Sequence, residues 1–513
     1  MKQAREKLTN ILSEVKKKHK GIVYADVRLA RYEERDVQAA NGTIRQISTT
    51  DRLSLGVRVI AEKSNYKANG FFGKMFGASA LPKIENEING AIYRAFERAI
   101  YNAQEKARIA KAFPDFAQSL ANLDLAKIKP HQDTIRAKCL IDPIELPQSE
   151  ITRTILDISK SVKALDPKIK FSSLDIYMAR NKHLFANTEG SDIEQNYFVT
   201  ETGCYVVATG SRNTQNLGDN TGHQRGWETV TKGVDDTLMP MPSFREFAHR
   251  LAMDAVELSE CLTCPTKDDV TIVTEPHYNT LLVHEIIGHP TEADRALKME
   301  AGYAGRSWML GDTKKNQINK QIASKILSVY SDPTLEGLGH YIYDDEGTKA
   351  ERLWIVKDGI LQDFMNSRQT ALILDSKPNA SYFAIDAAQV PIIRMNNTVF
   401  ANGKDDPKQI IKDVKDGFYV VGHHTPSIAE SRENFMISGR KVFEIKNGQL
   451  GRLYANGSIM ADSKAFLMNI DAMGNDFRMH PIAHCGKGQP MQTKRMYNGG
   501  PTLRSRGRMV GGN

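Results

Sequence analysis
A stretch near the middle of the chain, Arg212 to Met241, is rich in Gly, Asn, Thr and Pro and breaks the hydrophobic period. The sequence differs in kind on its two sides, and that contrast limits the possible folds more than any other feature. On the N-terminal side, apolar residues recur at helical spacing in three places. Leu8, Ile11, Leu12 and Val15 mark a helix over Gln3–Lys18. Ile84, Ile88, Ile92, Ala95 and Ala99 mark a long helix over Pro82–Ala112, and Glu150–Leu165 repeats the pattern. Ile22–Tyr32 and Leu53–Ala61 read as strands, and Lys170–Thr209 is strand-rich. After one further helix, Pro242–Leu262, strand candidates dominate: Val270–Val273, Glu351–Val356, Gly417–Val421, Lys441–Ile445 and Leu450–Ala455. Turns such as Lys357-Asp358-Gly359 and Lys446-Asn447-Gly448 suit tight hairpins. The expected fold is α+β. An N-terminal domain of α/β type with long helices, 1–240, precedes a β-rich, mainly antiparallel domain, 241–513. With 513 residues the chain is also too long for one ordinary core.

Composition narrows the function classes. Hydrophobic residues at 41% and charged residues at 25% describe a globular chain, and no apolar run is long enough to span a membrane. The first residues are polar, with a Lys-rich run from Lys16 to Lys20 and no apolar segment of the secretory kind. The net charge of +8 is a weak bias over so long a chain, and no basic stripe interleaved with aromatics marks a nucleic-acid surface. The densest basic segment, Lys494–Arg508, contains Gly499, Gly500 and Pro501 and reads as a solvated tail. Five scattered cysteines, Cys139, Cys204, Cys261, Cys264 and Cys485, make no disulfide framework and fit a reducing, cytoplasmic compartment. The CxxC at Cys261–Cys264 has no second pair and reads as two ordinary thiols.

The sharpest local signal is His284-Glu285-Ile286-Ile287-Gly288-His289-Pro290, an HExxxH motif opened by the apolar turn Leu281-Leu282-Val283. Neutral imidazole is a good zinc ligand, and an adjacent carboxylate can take a proton from water that the metal activates. The spacing is unusual. Residues four apart lie about 40° from each other around a helix, but residues five apart lie roughly 140° apart. Gly288 and Pro290 offer the correction, because a π-bulge or an early helix end would rotate His289 back. Two histidines leave a catalytic zinc one protein ligand short. The candidates for the third are His423, His424, His480, His484 and Cys485, and the spacing does not choose among them.

Several blocks, in order, resemble the TldD/PmbA family of metallopeptidases over nearly the whole chain. They are the HExxxH block, Tyr343-Asp344-Asp345-Glu346-Gly347 with Ile355-Val356-Lys357-Asp358-Gly359, and Pro391-Ile392-Ile393-Arg394-Met395-Asn396-Asn397-Thr398. The ending Cys485-Gly486-Lys487, Gly500-Pro501-Thr502-Leu503 and Val510-Gly511-Gly512 also fits. The resemblance implies one zinc ion per chain, held by His284, His289 and Cys485, with Glu285 as the catalytic base. It also implies unfolded or short peptides as substrates, and a dimer, formed with itself or with a TldE/PmbA-type chain lacking the motif. A rival reading is a non-catalytic binding or assembly protein whose metal site is closed by a fourth ligand such as His480 or His484. Asp344, Asp345, Arg394, His423 and His424 are candidates for the substrate cleft. The acidic block Asp344-Asp345-Glu346 offers ligands for a second metal or an anchor for a peptide N-terminus, but its expected role is to cap turns and pair with nearby cations along the cleft wall. Arg394 is expected to bind a substrate carboxylate or to neutralise the acidic block. The segment Gly422-His423-His424-Thr425 departs from the family's usual glycine run, and its histidines read as loop residues.

Overall fold
The computed structural model describes residues 1–117, 123–299, 305–309 and 317–512. The first half is organised by one sheet of seven strands. Ile22–Ala40, Thr43–Lys63, Ile169–Asn187 and Asp192–Thr209 form its centre, with Tyr66–Gly77, Gln132–Ile135 and Thr214–His223 beside them. All neighbours are antiparallel except Gln132–Ile135, which runs parallel to Asp192–Thr209. The central strands reach 19 and 21 residues, far beyond the usual five or six, because the sheet serves two cores in succession. Near one end Val27, Leu29, Leu55 and Val57 pack with Leu8 and Leu12 of helix Lys2–Lys18 and Ile88 and Ala95 of helix Ile84–Ala112. Towards the other, Val37, Leu174, Ile176 and Val206 pack with Ile155 of helix Gln148–Ala164 and Phe244 and Leu251 of helix Phe244–Leu258. That last helix starts on a capping box, with Ser243 and Glu246 each satisfying the other's backbone N–H.

The polar stretch at 212–241 is more regular than its composition suggests. Thr214–His223 is a strand along Asp192–Thr209, and Glu228–Lys232 is a short helix. A backbone ladder holds an edge strand without any apolar alternation, so periodicity was a poor guide there.

The second half is β-rich, as expected. Lys267–Thr274, Asp416–Ile428, Asn434–Lys446, Gly457–Asp462 and Leu503–Gly511 pair in a ring, closed where Asp416–Ile428 meets Asn434–Lys446. The two proposed hairpin turns form, with Asp358 and Gly359 at φ 50° and 78° and Asn447 and Gly448 at φ 47° and 76°. A second sheet of six strands ends on the ribbon Arg478–Lys487 and Gln492–Gly500. The basic segment from Lys494 is therefore not a solvated tail. It runs through two paired strands, and Lys494 itself is only 4% exposed. The helix Pro276–Val283 is fixed between ring and ribbon: Tyr278 donates to the Ile437 carbonyl, Asn279 to that of Pro501 and Thr280 to that of Asn498.

Candidate metal centre
Glu275 caps the helix Pro276–Val283 by accepting from the backbone N–H groups of His277 and Tyr278. At its far end the backbone changes period. His284–Gly288 forms one π-turn and His289–Thr291 a tight 3₁₀ turn. The wider π-turn makes up the rotation that five-residue spacing would otherwise impose. The two imidazole centroids lie 4.7 Å apart with their planes at 84°. Gly288 leaves room for Met395 at this point, since a Cβ there would come within 2.4 Å of Met395 Sδ and force that side chain to shift.

Cys485 reaches the same place from the ribbon strand. One ligand atom from each of His284, His289 and Cys485 falls within 4.8 Å of the others, and all three residues are buried. Cys485 Sγ lies 3.4 Å from His289 Nε2. A tetrahedral zinc with bonds of about 2.0 and 2.3 Å would separate N and S by roughly 3.5 Å, so the donor set fits that ion.

The hydrogen bonds behind the two rings engage Nδ1 and leave Nε2 as the ligating atom. Asn498 donates through Nδ2 to the Thr398 carbonyl, so its Oδ1 can only accept, here from His284 Nδ1 at 3.2 Å. His289 Nδ1 lies 3.1 Å from Glu292 Oε2, and a carboxylate likewise only accepts. Both rings therefore carry Nδ1–H and keep the Nε2 lone pair. Glu292 is fully buried and held by Arg295 at 2.7 Å, Lys487 at 3.2 Å and the Met395 N–H at 3.2 Å. Burial opposes its charge, but Lys487, His289 and Arg295 outweigh that and hold the carboxyl well below its usual range. Cys485 follows the same pattern. Burial favours the thiol, but His289 and Arg394 prevail and lower its pKa.

Glu285 sits beside this cluster with its side chain 12% exposed and Arg432 Nε 3.7 Å away. Burial raises its pKa less than His289, His284 and Arg432 lower it, so the carboxyl is ionised at neutral pH. His480 and His484 do not join the ligands. The His480 ring packs 4.5 Å from that of His277, and His484 Nε2 lies 2.9 Å from Glu201. Among the described residues no fourth side chain closes the site.

Comparison with known proteins gives the lineage. Residues 267–512 match the model of the PmbA/TldA metallopeptidase C-terminal domain, and residues 141–259 that of the central domain. The chain belongs to the PmbA/TldA metallopeptidase family. A metalloprotease of Methanocaldococcus jannaschii is 26% identical over 90% of this chain and 92% of its own length. A metalloprotease of Methanothermobacter thermautotrophicus is 27% identical over 75% and 78% of the two chains. A zinc metalloprotease TldD homologue of Saccharolobus solfataricus is 26% identical over 48% of this chain and 53% of its own. The crystal structure of TldE from Thermococcus kodakarensis superposes with a TM-score of 0.68 at 14% identity, covering 98% of this chain and 100% of that one, which shows a shared fold.

The other sequence candidates of this metallopeptidase lie around the centre in different roles. Arg394 faces neither solvent nor the acidic block. It is fully buried and donates to the Cys485 carbonyl at 2.6 Å, to Cys485 Sγ at 3.0 Å and to the Gln492 carbonyl at 2.6 Å. A planar guanidinium with several donors suits that fork better than any single free anion would require. Asp344 accepts from the backbone N–H groups of Glu346, Thr348 and Tyr382, and Asp345 from that of Ala384. Burial, with Glu346 beside it, pushes the Asp344 carboxyl up to about 8. His423 and His424 are strand residues of Asp416–Ile428, and the His423 ring packs 4.8 Å from that of His277. Cys261 and Cys264 carry free thiols. Sequence reasoning missed Asn498 and Glu292. The three-residue spacing of Glu292 from His289 was a usable signal, because such pairs share a helix face.

Proposed function
We propose that this metallopeptidase hydrolyses peptide bonds in unfolded or short peptides, with one zinc ion per chain held by His284, His289 and Cys485 and with Glu285 as general base. The observation that carries this reading is the convergence of two free Nε2 atoms and one Sγ beside an ionised, partly accessible carboxylate. When bound, zinc supplies Lewis acidity towards a carbonyl oxygen and lowers the pKa of a water molecule. The chain's own residues do the rest. Glu285 takes the proton from water as it attacks the peptide carbonyl, and returns it to the departing amine. Asn498 and Glu292 keep both imidazoles in the ligating tautomer, and Arg394 steadies the thiolate. The strand Arg478–Lys487 lies at the edge of its sheet, where an extended peptide finds backbone partners with little sequence preference.

We further propose a cytoplasmic enzyme, the compartment that its free thiols fit, acting as a dimer with itself or with a TldE/PmbA-type chain. Among the described residues no helix is long and apolar enough to cross a membrane. The deciding experiment is mass-spectrometric detection of cleavage in an unstructured peptide mixture. Glu285→Ala is expected to lower the rate at least about 10²-fold, as removal of a general base does. Equal cleavage by wild type and variant would overturn the assignment of the base.

A further inference from the structure
The sheet of the first half and the loops of the second enclose a cavity of about 130 Å³ that the chemistry above does not use. Its wall includes Lys494, Arg28, Asn181, Asp345, Tyr341 and Phe383. Lys494 Nζ is buried and makes no hydrogen bond to any described residue. It lies 4.7 Å from the ring centroids of both Tyr341 and Phe383, whose faces attract a cation without neutralising it. Arg28 is 3% exposed and spends Nη2 on the Gln389 carbonyl at 2.7 Å. Its Nε and Nη1 have no hydrogen-bond acceptor among the described residues, and Nη1 stands 3.8 Å from Asp345 Oδ2. Asn181 Oδ1 is a buried acceptor with no donor among them.

Buried polar atoms are normally paired, so several unmatched ones around a single space call for an occupant. Arg28 and Asp345 offset each other, and Asp344 is engaged by the backbone N–H groups of Glu346, Thr348 and Tyr382. Lys494 is left as the cation without a counterion. A single negative charge would balance it, whereas a phosphate dianion would meet Asp345 in the wall. The free acceptor on Asn181 asks for an N–H as well.

We propose that this cavity is a binding subsite for a carboxylate flanked by an amide N–H, the chemistry of a peptide's C-terminal residue, and this deepens the peptidase reading on which it rests. Lys494 is paired directly opposite Cys485 across the ribbon, so the two side chains leave it on the same face. A carboxylate held by Lys494 therefore lies close to the metal centre and favours cleavage near a free C-terminus. An acidic side chain carries the same group, and the test separates the two sources.

Binding is measured by calorimetry on the full chain carrying Glu285→Gln, which holds peptide without turnover. Three forms of one short unstructured peptide are compared: free acid, C-terminal amide, and the amide with glutamate as last residue. The free acid is expected to bind about 10-fold or more tightly than the plain amide, as a charge-assisted contact in a buried site should. If the glutamyl amide matches the free acid, the carboxylate of a side chain is the occupant and the C-terminal assignment falls. Adding Lys494→Met should erase the preference for the acid over the amide. Because Lys494 Nζ gives up no hydrogen bond, that variant is expected to fold. Should it not, the acid-to-amide ratio without it still decides. Equal binding of acid and amide, or no binding of either, overturns the subsite. Absence of cleavage by wild type with the acid preference intact would instead count against the peptidase reading alone.

Discussion
Both imidazoles in the centre are oriented from behind, one by an amide and one by a carboxylate, and the two supports are not equivalent. Glu292 belongs to a buried charged cluster with Lys487, Arg295 and Asp294, so removing it would strip Arg295 of its ion pair and Lys487 of one of two carboxylates. Asn498 is neutral, and its loss is a cleaner test of orientation. Asn498→Ala frees the His284 ring to turn or to change tautomer. We expect zinc affinity to fall about 10- to 100-fold, as measured by competition with a chromogenic chelator, alongside some loss of stability from the Thr398 carbonyl that Asn498 no longer satisfies. Unchanged affinity would mean that packing alone positions His284. At this scale the sequence was informative where chemistry is written into adjacent residues. His284, Glu285 and His289 announce themselves, and the resemblance added Cys485. Asn498 was invisible because it lies 214 positions from the ring it orients. Arg394 was noticed but placed wrongly, because nothing local tells whether an arginine faces an anion or a backbone carbonyl.

The metal centre depends at the level of elements on one irregularity, the π-turn at His284–Gly288. Its sequence signal was indirect: the five-residue spacing made no sense on a regular helix, and glycine with proline allowed a correction. Gly288 has a second role that no pattern shows. Met395 is fully buried, and its sulfur lies 3.7 Å from Asn498 Nδ2. A Cβ at position 288 pushes Met395 against the residue that orients His284. Gly288→Ala should therefore weaken zinc binding and, as an overpacked core, lower stability by about 1–3 kcal/mol in the metal-free chain. Chelated samples followed by denaturant unfolding would read the second effect, and the chelator competition the first. A fully stable variant with normal zinc affinity would show that the methionine moves aside freely. The long strands illustrate the opposite limit. The alternation in Ile22–Ala40 is legible only as far as Tyr32, because the charged run Glu33-Glu34-Arg35-Asp36 interrupts it before Val37 and Ala39 turn inward again.

Across the whole molecule, the first-half sheet is held to the second half by ion pairs between residues far apart in sequence. Arg58 meets Glu346 at 2.8 Å, Arg52 meets Asp386, and Glu201 meets both Arg495 at 2.5 Å and His484 at 2.9 Å. No periodicity reveals such contacts, which is why the two halves were legible separately but their junction was not. The Glu201 group makes that junction sensitive to pH. Burial alone would raise the Glu201 pKa, but His484 and Arg495 bring it down to about 2. A carboxylate lowered in this way stabilises the fold above its unfolded value near 4.5 and loses that contribution as pH falls towards 2. His484 is raised by its hydrogen bond to Glu201. Its contribution is complete below the unfolded value near 6.5 and disappears as pH climbs through the higher folded value. The pair's contribution to stability is thus complete between about pH 4.5 and 6.5. The His484 side chain is 58% exposed, so solvent screens the interaction and the effect should be small. We expect His484→Gln to lower the melting temperature most at pH 5 to 6. The gap to wild type should close progressively above pH 7, while Arg495 continues to hold Glu201. A gap that stays constant from pH 5 to 9 would mean that His484 supports the junction through packing, not charge.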